Sequence, residues 1–124
     1  EKGERALLNF GHTLGHAIEK EMNFSLYHGE CVVLGMIAAL NICVELGTIT
    51  GEERDDALNT FALYEFPDHV TGIKIDDVVA VSKNDKKMDA GKVKFILLKS
   101  VGDAYIDRNI TDDQMRRALE GVIR

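Results

Sequence analysis

The sequence predicts a mainly α-helical bundle, one domain spanning residues 1–124, with a single small antiparallel β-hairpin. Three observations predict it. Apolar residues recur at a helical period over most of the chain and alternate over only one short stretch. Two capping boxes, Thr50-Gly51-Glu52-Glu53 and Thr111-Asp112-Asp113-Gln114, mark helix starts. No βαβ unit and no G-x-G-x-x-G fingerprint is visible, so this segment carries no recognisable dinucleotide site.

The first helix runs from about Arg5 to Met22, with Leu7, Phe10, Leu14, Ala17 and Ile18 on one side. Asn23 to Tyr27 reads as a loop. His28 opens a second helix to about Leu46, stopped by Gly47. Val32, Val33, Leu34, Met36, Ile37, Leu40 and Ile42 make that helix apolar nearly all round, which places it at the bundle centre. The Thr50 cap starts a third helix that ends near Tyr64, and Pro67 marks a turn. Asp76 to Ser82 is a short helix. Lys92 to Lys99 and Ala104 to Asp107 read as strands joined at Gly102-Asp103. The last helix follows the Thr111 cap, with Met115, Ala118, Leu119, Val122 and Ile123 on one face.

The net charge is −6 and no Lys/Arg block occurs, which excludes nucleic acid and anionic membrane surfaces as natural partners. The longest apolar run, Cys31 to Leu40, is too short to span a bilayer. Cys31 and Cys43 lie on one helix, about 18 Å apart at roughly 1.5 Å per residue, too far for a disulfide. With no signal peptide visible, a soluble cytoplasmic chain is expected. The start at Glu1, without an initiator methionine and close to a periodic helix, predicts a domain of a larger protein.

Opposite the apolar face of the first helix lie Arg5, Asn9, His12, His16 and Glu19, spaced by four, three, four and three residues. At about 100° per residue they fall within roughly an 80° arc. Gly11, Thr13 and Gly15 beside them are small enough for a backbone or a ligand to approach closely. Two histidines at i and i+4 can share one metal ion. Thr13 stands where the H-E-x-x-H motif needs its glutamate, so a metalloprotease is discounted. His28 is a second candidate ligand, because a helix N-terminus keeps imidazole neutral.

Plainer readings stand beside these. A lone histidine at a helix start is more often a surface or hydrogen-bonded residue, and Gly11-x-x-x-Gly15 equally suits tight helix packing. Glu30 suits the positive end of its helix, His69 an exposed loop, and the cysteines a core. A catalytic zinc takes three protein ligands, and this chain offers two imidazoles with no carboxylate at ligand spacing. By spacing alone the site is incomplete or closes with another segment.

The run Arg5-Ala6-Leu7-Leu8-Asn9-Phe10-Gly11-His12-Thr13-Leu14-Gly15-His16-Ala17-Ile18-Glu19, then His28-Gly29-Glu30-Cys31-Val32, resembles the signature of the 3-dehydroquinate synthases. Asp85-Lys86-Lys87 and Lys94-Phe95-Ile96-Leu97-Leu98 match the same family, so the likeness covers essentially the whole chain as that family's C-terminal domain. The resemblance implies an NAD- and metal-dependent lyase of the shikimate pathway. It would convert 3-deoxy-D-arabino-heptulosonate 7-phosphate into 3-dehydroquinate and phosphate, with NAD used transiently and Zn²⁺ or Co²⁺ as Lewis acid. It also implies His12 and His28 as metal ligands, a third ligand and the NAD site in an N-terminal α/β domain, and a homodimer. Arg5 and Asn9 would bind the substrate carboxylate, His16 and Lys86 would lie near the phosphate, and Glu1 would orient neighbouring cations. Lys87 is the alternative to Lys86. This segment alone is expected to be inactive. Other readings are another sugar-phosphate cyclase (such as a 2-deoxy-scyllo-inosose synthase), a metal-dependent alcohol dehydrogenase relative, or a non-enzymatic helical module.

Overall fold

The computed structural model describes residues 12–83, 95–100, 103–107 and 110–124. Within them the order is α1 (His12–Glu21), α2 (His28–Leu46), α3 (Gly51–Leu63), α4 (Ile75–Lys83), β1 (Phe95–Ser100), β2 (Asp103–Asp107) and α5 (Asp112–Leu119). The part of the first expected helix before His12 lies outside the described residues, as do Glu1, Arg5, Asn9, Lys86 and Lys87.

Helix α2 is the hub. It packs against α1, α3, α5 and β1, while α1 also packs on α4, and α4 on α5. Ten of its residues are buried, from Cys31 to Cys43, as an all-round apolar sequence requires. By length and composition α2 could cross a bilayer. Here it is a core helix, and even its polar Asn41 is used, the amide donating to the Ala118 carbonyl of α5 at 2.9 Å. Leu14, Ala17 and Ile18 of α1 meet it from one side, Met115, Ala118 and Leu119 of α5 from another, and all six are buried. Helix α3 buries no residue fully; Ala57, Leu58 and Phe61 lean on the core from outside.

The helix ends follow local chemistry. Thr50 Oγ1 accepts from Glu53 N at 3.0 Å while Glu53 Oε1 accepts from Thr50 N at 2.9 Å. Thr111 and Gln114 repeat the exchange at 3.1 and 2.8 Å. Helix α2 ends at Gly47, whose φ of 79° is left-handed, with its N–H on the Val44 carbonyl and Thr48 N on that of Cys43. Glu30 is more than a favourable charge: its carboxylate accepts from Tyr27 N at 3.1 Å and closes the first turn of α2.

Strands β1 and β2 pair antiparallel, Phe95 opposite Asp107 and Leu98 opposite Ala104, with a register irregularity before Ser100. One expectation needs correcting. Val122 and Ile123 are buried but do not continue α5, which ends at Leu119. Their backbone turns to pair with the segment at Val70: Val70 N donates to the Val122 carbonyl at 2.8 Å, and Arg124 N to the Val70 carbonyl at 2.9 Å. Extended pairing satisfies these groups where a further helical turn would leave Val70 without its partner.

Candidate functional site

A close helix–helix contact sets up the site. An ideal Cβ on Gly15 would sit 2.7 Å from the Cys31 carbonyl oxygen and 3.3 Å from Val32 Cα, so only glycine lets α1 lie against α2 here. Of the two uses the sequence allows for Gly15, tight helix packing is the one observed. The turn between the helices is short: Phe24 N donates to the Glu19 carbonyl, and Asn23 and Phe24 take left-handed φ values of 54° and 58°. That reversal returns the chain to α1 at His28.

Three imidazoles therefore meet at one edge of the α1/α2 pair. The His12 and His28 ring centres are 6.0 Å apart with planes at 87°, and those of His12 and His16 are 6.2 Å apart. Two imidazoles sharing a tetrahedral zinc at about 2.1 Å hold their ring centres roughly 5 Å apart. The His12–His28 spacing is within about 1 Å of that, the reach of a rotamer adjustment. Among the described residues, no group of three or more His, Cys, Asp or Glu side chains could hold a metal ion. The donor set thus fits a metal as two nitrogen ligands that need completing.

Between the rings lies Glu19. Its carboxylate is 3.0 Å from His28 Nδ1 and 3.6 Å from His16 Nδ1. Glu19 is buried, whereas the His28 side chain is 63 % exposed, so the carboxylate holds the inner edge of a ring whose outer edge faces solvent. The sequence places Glu19 on the polar stripe without assigning it a task; its register with a histidine nine residues later depends on the turn. Cys31, one turn after His28, is buried in the core. Burial, with the Glu19 and Glu30 carboxylates, pushes its thiol up to about 11. Cys43 is buried too, and neither cysteine forms a disulfide. His69 lies elsewhere, paired with Asp68 at 2.7 Å, and that contact holds the Asp68 carboxyl below its usual range.

The fold that carries this histidine edge, a helical bundle built round one buried helix, is shared with sugar-phosphate cyclases. The chain is similar to the 2-epi-5-epi-valiolone synthase ValA of Streptomyces hygroscopicus subsp. jinggangensis, solved with NAD⁺ and Zn²⁺ bound. The TM-score is 0.80 at 25 % identity, covering 91 % of this chain and 31 % of that one. It is also similar to a 2-deoxy-scyllo-inosose synthase complexed with carbaglucose-6-phosphate, NAD⁺ and Co²⁺, with a TM-score of 0.69 at 25 % identity over 92 % of this chain and 34 % of that one.

Residues 1–88 match the family described as 3-dehydroquinate synthase C-terminal, and the chain belongs to that family. The 3-dehydroquinate synthase of Acetivibrio thermocellus is 41 % identical over 93 % of this chain and 32 % of its own length. That of Nostoc punctiforme is 39 % identical over 98 % of this chain and 34 % of its own length. The chain spans about a third of the length of the curated relatives it matches.

Proposed function

We propose that this chain forms the helical, metal-facing part of a 3-dehydroquinate synthase, acting with an N-terminal NAD-binding domain. The reaction proposed is conversion of 3-deoxy-D-arabino-heptulosonate 7-phosphate to 3-dehydroquinate and phosphate. The observation that carries the reading is the 6.0 Å approach of His12 and His28 in a chain of this family. Both would bind Zn²⁺ or Co²⁺ through ring nitrogens, with a third ligand from the other domain. A divalent ion held there supplies Lewis acidity toward a substrate hydroxyl.

The roles proposed for the other residues follow their chemistry. Arg5 offers a planar fork to the substrate carboxylate, and Asn9 adds a hydrogen bond on the same stripe. His16, whose side chain is 35 % exposed and which follows His12 by one helical turn, reaches the phosphate side and can hold or pass a proton there. Lys86 contributes positive charge to the same phosphate, and Glu1 orients the neighbouring cations.

The test uses the full-length protein carrying this chain. His12→Ala and His28→Ala should each remove bound metal and phosphate release; His16→Ala should keep the metal and lower turnover by about 10²–10⁴-fold. Unchanged metal content in both ligand variants would sink the proposal. The likeness to ValA and to 2-deoxy-scyllo-inosose synthase supports a second reading, another sugar-phosphate cyclase. Turnover of the heptulosonate phosphate by the full-length protein, against turnover of the sugar phosphates that those two synthases use, separates the two.

A further inference from the structure

Two polar side chains are buried among the described residues, Ser82 and Glu19. Ser82 is satisfied locally, donating to the Val79 carbonyl at 2.7 Å. Glu19 is the unusual one. A carboxylate taken from water needs donors or cations to replace it, and among the described residues no Lys or Arg side chain pairs with Glu19. Its partners are imidazoles: Oε2 lies 3.0 Å from His28 Nδ1, and Oε1 lies 3.6 Å from His16 Nδ1. The first distance is a hydrogen bond and the second is beyond one.

The chemistry of that hydrogen bond is directional. An ionised carboxylate only accepts, so the contact selects the ring form with a proton on Nδ1. A neutral ring protonated on Nδ1 presents its lone pair on Nε2, at the opposite edge. His28 stands at the first position of α2 with its side chain 63 % exposed, where packing alone leaves the ring free to turn. We infer that Glu19 is a positioning residue, a buried carboxylate that locks His28 in the Nδ1–H tautomer with Nε2 turned toward His12. The inference deepens the proposed metal site and rests on it for its purpose, but the Glu19–His28 hydrogen bond itself forms without any metal. Glu19 follows Gly15 by one helical turn, so the contact that brings α1 against α2 also brings the carboxylate within reach of the ring.

The experiment compares Glu19→Gln, Glu19→Asp and Glu19→Ala in the full-length protein. Two readouts are taken: the His28 ring tautomer, from ¹⁵N–¹H correlation spectra of the metal-free protein, and Zn²⁺ affinity, by competition with a chromophoric chelator. Glutamine keeps an acceptor at the same reach, so E19Q should hold the Nδ1–H form and bind Zn²⁺ within a few-fold of wild type. Aspartate withdraws the carboxylate by one methylene, so E19D and E19A should mix tautomers and lose about 10–100-fold in affinity. If E19A does not fold, the E19Q and E19D pair carries the test. Wild-type tautomer and affinity in E19D overturns the inference, as does a Gln variant weaker than the Asp variant, because buried charge rather than the hydrogen bond would then matter. The metal reading fails separately, if H28A still binds Zn²⁺ as wild type does; the ring tautomer in E19D then still decides the role of Glu19.

Discussion

Replacing Gly15 with alanine tests whether one missing methyl group holds the two helices of the site together. The added Cβ would lie 2.7 Å from the Cys31 carbonyl oxygen and 3.3 Å from both Cys31 C and Val32 Cα. All three atoms are backbone, so no rotamer change relieves the clash. Restoring an ordinary contact of about 3.4 Å needs the helices to part by roughly 0.7 Å, within the close-packed interior around Leu14, Ala17 and Leu34. Overpacking of this kind costs about 1–3 kcal/mol, and the rigid neighbour puts it at the upper end. Alanine returns about 1 kcal/mol of helix propensity. The net expectation is a loss of about 1–2 kcal/mol, a fall in Tm of roughly 4–8 °C for a domain of this size. Urea unfolding and a thermal melt measure it. Gly29→Ala is the control, since nothing lies within 4 Å of a Cβ there and propensity alone should leave it neutral or slightly stabilising. A G15A protein as stable as wild type would refute the close approach, and with it the account of how His12 and His28 are brought together.

Thr50→Ala and Thr111→Ala each remove the side-chain acceptor of a capping box, and each should cost about 1 kcal/mol in urea unfolding; a loss in neither would mean the caps are idle. Cys31 should resist alkylation at pH 8 in the folded protein, because its thiol is pushed up to about 11 from 9.0. The sign of its linkage to stability follows. The fold favours the protonated thiol, so this contribution is whole below pH 9 and is lost as pH rises toward 11. A Cys31→Ser protein should lack that alkaline decline, and an unchanged pH profile would exclude Cys31 as its source.

The parts of the fold that were legible in the sequence are those with a local cause. The period of Leu14, Ala17 and Ile18 marks the buried side of α1, Thr50 and Thr111 announce their helices just ahead of the acidic first turns, and Gly47 supplies the left-handed residue that ends α2. What escaped local reading depends on contacts distant in sequence. Val122 and Ile123 continue the helical period, yet the chain turns after Leu119 and pairs there with Val70, some fifty residues earlier. At the site, the spacing of His12, His16 and Glu19 puts them on one line. Spacing says nothing about His28, because the turn before it relies on a left-handed Phe24, a conformation that a bulky residue does not advertise.

That turn also explains why the stripe is not an ordinary solvated face. On an isolated helix, Glu19 would be one more exposed carboxylate, and its neighbour three residues back a weak surface pair. In the folded chain the carboxylate is buried beside His28, while the His28 ring stays largely exposed. Buried carboxylate beneath, open imidazole above, is a poor arrangement for stability, since replacing the pair by apolar side chains of similar volume often leaves a domain equally stable or more so. The caps and the Gly15 contact have structural explanations that suffice. The Glu19–His28 pair has a better one in the proposed site, where a ring held by one nitrogen and open at the other is what a shared ion between His12 and His28 requires. If a Glu19→Met, His28→Leu double variant proves as stable as wild type yet binds no Zn²⁺, the pair is kept for the site; a large loss of stability instead would return it to the fold.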